Sequence, residues 1–186
     1  MNNKKISSLT KTALSAAITV LLAATPLGYI PAGVLSFTIM VLPVAIAGGT
    51  LDLGGALICG LAFGVTSFFK APSEALGQLI LAYSGIMTAV ICIVPRVCVG
   101  LFAGLMGRFV RSKKSVVGYF ILGLGSSAVN TALFLGLLYI FCGQLVSGAF
   151  GVAVWSTTLA GGAVEAAANG ILCTAVMKAA EKAHLF

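Results

Sequence analysis

Residues 86–109 form an almost unbroken run of apolar and small residues, long enough to cross a lipid bilayer as one helix. Near its middle, directly after Pro95, stands Arg96. A guanidinium at bilayer depth costs at least ~2.5–3.5 kcal/mol on insertion scales, so it needs a cavity, a partner or an anionic ligand. Arg96 is therefore the first candidate functional residue. The competing reading is an internal ion pair that tethers two helices.

The rest of the chain is of the same kind. Sixty per cent of its residues are hydrophobic and 8% charged, and the mean hydropathy is +1.13. These values exclude an ordinary soluble domain and predict an all-α integral membrane protein. At about 20 apolar residues per crossing, 186 residues allow about six or seven spans. The apolar runs do not alternate with polar residues, which disfavours a lipid-facing β-barrel.

The net charge of +7 would suggest an anionic partner in a soluble protein, but its placement gives another meaning. Lys4, Lys5 and Lys11 open the first span, Arg108, Arg111, Lys113 and Lys114 share one connection, and Lys178 and Lys182 close the chain. By the positive-inside rule these segments, and both termini, are cytoplasmic. The charge reports topology and not a nucleic-acid site. Cys59, Cys92, Cys98, Cys142 and Cys173 all fall in apolar runs without CxxC spacing, beside a single His, so neither a metal site nor a disulfide framework is indicated. Lys4 and Lys5 resemble the start of a signal peptide, but the apolar run after them reads as an ordinary first span.

One membrane domain with spans near 7–24, 34–51, 53–69, 84–110, 116–142 and 156–177 is predicted. In the first, Ala13 and Ala17 share a small-residue face suited to close helix approach, within the chain or with another subunit. Pro26, Gly28, Pro31 and Gly33 punctuate an uncharged outer loop that can fold back as a lid. Pro43 interrupts the marginal second span. Gly60 and Gly64, and again Gly100 and Gly104, form GxxxG packing faces. Residues 70–83 and 143–155 read as the other two outer connections, the latter carrying the only Trp. At 1.5 Å per residue, Arg96 lies roughly 15–18 Å below the outer end of its helix and Asn169 about 18–20 Å below that of the sixth, with Glu165 one turn higher. Arg96, Asn130, Glu165 and Asn169 therefore converge in the outer half of the bundle, where a small polar solute can be bound. No GxxxxGK[ST], HExxH or GxSxG is present. No matching pair of broken helices marks an inverted repeat.

Several stretches together resemble a known family: Ala13-Leu-Ser-Ala-Ala17, Ser36-Phe-Thr-Ile-Met-Val-Leu-Pro-Val44, Val94-Pro-Arg-Val-Cys-Val-Gly-Leu-Phe-Ala-Gly104, Gly125-Ser-Ser-Ala-Val-Asn-Thr131 and Glu165-Ala-Ala-Ala-Asn-Gly170. Over nearly its whole length the chain is similar to the substrate-binding S-component of an energy-coupling factor (ECF) vitamin transporter. The resemblance implies six helices in a prokaryotic plasma membrane and a vitamin held under the first, third and fifth connections. It also implies a partner module of two ATPases and one transmembrane coupling subunit that makes the S-component tilt. No cofactor, metal or enzymatic activity is implied. The family's AxxxA motif falls on Ala13 and Ala17, as the contact with the coupling subunit.

The segments around Thr38 and Pro95-Arg96 look most like the pantothenate-specific members. In such a site Arg96 can grip a carboxylate bidentately, and Asn130 and Asn169 offer donors and acceptors. Glu165 can accept from hydroxyls or hold Arg96. Tyr29, Phe37, Phe69, Tyr83 and Trp155 can wall the apolar part, while an interfacial or core position is an equal reading for each. The alternatives are an S-component for folate, riboflavin or another small anion, and a membrane enzyme or scaffold with an internal pair of Arg96 and Glu165.

Overall fold

The computed structural model describes residues 3–25, 28–32, 35–113 and 115–183, with backbone alone at 3–5, 7, 29–32 and 35–37. Pro26, Gly33, Val34 and Lys114 lie outside the described residues. Helix α1 covers Asn3–Ala24, and a two-stranded antiparallel hairpin comes next, β1 (Tyr29–Ala32) and β2 (Leu35–Thr38), with Tyr29 opposite Thr38. Then come α2 (Val41–Thr50), α3 (Leu53–Lys70), a 3-10 turn at Ala71–Ser73, α4 (Ala75–Tyr83), α5 (Gly85–Lys113), α6 (Val116–Phe150) and α7 (Ala153–Lys182). The long helices run antiparallel, so the basic residues of α5 and α7 gather at one end and the hairpin and α4 at the other.

Four segments are long and apolar enough to cross a membrane: Leu53–Ser73, Gly85–Lys113, Val116–Phe150 and Ala153–Lys182. Ser8–Ala24 and Val41–Thr50 are shorter apolar helices. The prediction of a second span over 34–51 needs correction, because its first part is β2 and only ten residues are helical. Four extended residues and ten helical ones together reach about 28 Å. Helix α2 is wrapped by protein: Val41, Val44, Ala45 and Ala47 are fully buried. The connections at 70–83 and 143–155 are also more helical than predicted. The first holds α4; the second shrinks to Gly151 and Val152, since α6 continues to Phe150. Their apolar residues, Leu76, Ile80, Val146 and Val154, pack as one cluster with Ile91, Leu138 and Cys142 and so favour helix over loop.

Backbones approach closely where glycine permits. A Cβ on Gly60 would stand 2.6 Å from the Arg96 carbonyl oxygen, and one on Gly100 2.7 Å from that of Ala56. The two GxxxG faces of α3 and α5 therefore meet each other. At the basic end, Arg111 donates from Nη1 to the carbonyls of Gly48, at 2.9 Å, and Leu51, satisfying acceptors that the end of α2 leaves without helical partners. Asp52 accepts from the Gly55 N–H at 3.0 Å and caps α3. The Tyr119 hydroxyl donates to Glu181 at 3.1 Å and ties α6 to α7.

Gly100→Val should lower the thermal unfolding midpoint in detergent, at a cost of about 1–3 kcal/mol or more from overpacking. Gly136→Ala, with nothing within 4 Å of the added Cβ, should be neutral or stabilising by up to ~1 kcal/mol. Equal midpoints would show that the α3–α5 contact does not limit stability.

Candidate functional site

The position of Arg96 begins with its neighbour. Pro95 lies inside α5, and having no N–H it cannot donate to the carbonyl four residues earlier, that of Ile91. Arg96 Nη1 donates to that carbonyl at 3.0 Å. The side chain thus turns back toward the start of α5 and fills the vacancy its neighbour creates. Two aromatic rings flank it, Phe63 from α3 with its centroid 5.4 Å from Cζ and Phe134 from α6 at 4.9 Å. Each such contact contributes roughly 0.5–2 kcal/mol, more as water is excluded. Arg96 is only 7% exposed.

Across the bundle, α6 and α7 supply a hydrogen-bonded relay. The Thr38 backbone N–H donates to Glu165 Oε2 at 3.3 Å, and the Ser127 hydroxyl donates to Glu165 Oε1 at 3.4 Å. Asn169 Nδ2 donates to Ser127 Oγ at 3.1 Å. The relay attaches β2 to α7, while Thr38 Oγ1 accepts from the Met40 N–H at 3.2 Å and fixes the entry to α2. Close packing of α6 on α7 makes these contacts short-range: a Cβ on Gly123 would stand 2.5 Å from the Asn169 carbonyl oxygen. Asn130 and Ser126, one turn apart on α6, are 5% and 0% exposed. Asn130 Oδ1, Asn169 Oδ1 and Ser126 Oγ are buried with no hydrogen-bond partner among the described residues.

The relay joins Thr38, Glu165, Ser127 and Asn169, Arg96 and Asn130 are each buried, and an apolar cluster that contains Ile91 and Leu138 forms a roof at the α4 end of the bundle. Trp155 belongs to that roof: its Nε1 donates to Ser147 Oγ at 2.9 Å and its ring meets Tyr139 edge to face at 5.4 Å. Phe69 and Tyr83 are not brought in, being 75% and 60% exposed at the ends of α3 and α4. In the hairpin the backbone of Tyr29 pairs with Thr38 and that of Phe37 with Ile30, and the side chains of Tyr29 and Phe37 lie outside what the structure describes. Sequence reasoning passed over Phe63, Phe134, Ser126 and Ser127. Helical spacing held the signal for two of them, since Phe134 follows Asn130 by four and Ser126 precedes it by four. Ala13 and Ala17 are both exposed on α1, while Thr12 and Thr19 face inward at 6% and 0% exposure. The small-residue pair therefore does not pack within the chain.

The model of the family described as ECF transporter, substrate-specific component, matches residues 7–180. Comparison with curated proteins gives no match. Members of this family are transporter subunits that bind substrate and are not enzymes, and they associate with an ECF module of coupling and ATPase subunits. A multi-pass membrane location accords with the four long apolar helices. A bundle that buries a seated arginine beside polar groups, matched from residue 7 to residue 180, belongs to the substrate-specific components of ECF transporters.

Proposed function

We propose that this S-component captures pantothenate at the outer side of a prokaryotic plasma membrane and releases it inward when its coupling module, driven by two ATPases, tilts it. The observation that carries the ligand class is the seating of Arg96. Its guanidinium is buried, backed by Phe63 and Phe134 and directed by the Ile91 carbonyl. A cation positioned in this way is suited to gripping a carboxylate. The polar layer matches the rest of pantothenate, an anion with one amide and two hydroxyls, through Asn130, Asn169 and Glu165.

Topology supports the direction of entry. On this reading the basic ends of α5 and α7 face the cytoplasm by the positive-inside rule, with both termini on that side and the hairpin and α4 outside. Arg96 then lies about 16 Å below the outer end of α5 and Glu165 about 18 Å below that of α7, both in the outer half of the protein. The first crossing is α1, the second is shared by β2 and α2, and α3, α5, α6 and α7 complete six.

Arg96→Ala should weaken binding of labelled pantothenate about 10–150-fold while the protein stays folded, as expected for loss of a hydrogen-bonded charge. Arg96→Lys should recover only part, because a point charge lacks the planar fork. Unchanged affinity would remove Arg96 from the site, and tighter binding of folate or riboflavin in the same assay would replace pantothenate as ligand.

The exposed pair Ala13 and Ala17 is the proposed contact with the coupling subunit. Ala13→Trp or Ala17→Trp should abolish ATP-dependent uptake in reconstituted vesicles while leaving equilibrium binding unchanged. Parallel loss of both would indicate a folding defect.

A further inference from the structure

The relay among Thr38, Glu165, Ser127 and Asn169 has a direction. Ser127 has a single hydroxyl proton and gives it to Glu165, so toward Asn169 it can only accept. It does so from Nδ2, which fixes the amide orientation and turns Asn169 Oδ1 away from the relay. That oxygen is buried without a partner among the described residues, as is Asn130 Oδ1. Both are obligate acceptors. Ser126 Oγ, equally buried and without a partner among the described residues, accepts as readily as it donates. A buried acceptor left unmet costs about 1–3 kcal/mol, so a cluster of them calls for an occupant that brings hydrogens.

The position of this cluster relative to Arg96 adds an orientation. Phe134, against which the guanidinium rests, lies one turn of α6 above Asn130 and two above Ser127. The acceptors therefore stand about 6–10 Å deeper along the helix than the cation.

We infer that Asn130 and Asn169 form a donor-reading subsite: the solute is a carboxylate whose far end carries at least two O–H or N–H donors, bound with its charge outward on Arg96 and its donors inward on the two amide oxygens. This rests on the anion-binding role of Arg96 and adds to it a rule for what is rejected. Ser127 is the positioning residue, because without its hydroxyl the Asn169 amide can reverse. A site with acceptors of this kind rejects an isostere lacking the donors far more strongly than one differing by a methylene.

Three probes separate the two ends of the site: pantothenate, pantothenol, which lacks the carboxylate, and N-(3,3-dimethylbutanoyl)-β-alanine, which lacks both hydroxyls. Binding is measured calorimetrically on the purified full chain and on its Asn130→Leu, Asn169→Leu and Arg96→Ala variants. In the unaltered protein the dideoxy probe should bind at least ~100-fold more weakly than pantothenate. Each Asn→Leu change should cost pantothenate and pantothenol about 10–100-fold and leave the dideoxy probe unchanged, which also reports that the variant is folded. Arg96→Ala should instead penalise the two carboxylates and spare pantothenol. Ser127→Ala should narrow the ratio between pantothenate and the dideoxy probe.

Equal losses for all three probes in the asparagine variants, or no loss, would overturn the subsite, the first showing a structural role and the second an acceptor served by water. If none of the three binds, the pantothenate assignment falls by itself. The subsite is then decided by comparing folate and biotin, which carry donors, with lipoate and nicotinate, which do not. Binding confined to the second pair, or to neither, overturns it.

Discussion

A carbonyl without a helical donor is the pivot of this molecule. Pro95 deprives the Ile91 carbonyl of its usual partner, and Arg96, the next residue, supplies one from its own side chain. Two difficulties of an apolar helix, an orphan acceptor and a buried cation, offset each other in this way. The exchange sets the direction of the guanidinium before any second helix is considered. Phe63 and Phe134 then close on it from α3 and α6.

Such a seat requires neighbouring helices to come close, and glycine makes that possible. In lipid, apolar burial gives no preference for helix contacts over lipid contacts, so association depends on packing and on interhelical hydrogen bonds. Gly60 and Gly100 bring α3 onto α5, and Gly123 brings α6 onto α7. The first approach delivers Phe63 to Arg96, and the second aligns Ser127 with Asn169. Packing and recognition thus use adjacent positions of the same helices.

The sequence made the membrane class, the anomaly of Arg96 and the shared helix face of Glu165 and Asn169 legible, because a charge in an apolar run and a spacing of four need no tertiary information. It was less informative where structure depends on neighbours. Val41 to Thr50 reads as part of a full span by hydropathy alone, but only these ten residues are helical and the stretch before them holds β2. Residues 75–83 and 143–150 resemble loops until their apolar side chains meet in one cluster. Phe63 and Phe134 are ordinary apolar residues in isolation and become part of the site only by facing Arg96. Phe69 and Tyr83, equally aromatic, end on the surface. Aromatic identity marks neither role.

The length of α6 and α7 has a consequence for how the protein rests in lipid. At 35 and 30 residues they extend about 52 and 45 Å, against roughly 30 Å of hydrocarbon. Their exposed apolar residues run from Val117 and Val176 near one end to Tyr139, Ile140 and Leu159 near the other. A greasy surface taller than the slab around it does not single out one upright posture, since lean exchanges one stretch of apolar contact for another at only fractions of a kcal/mol per ångström of mismatch.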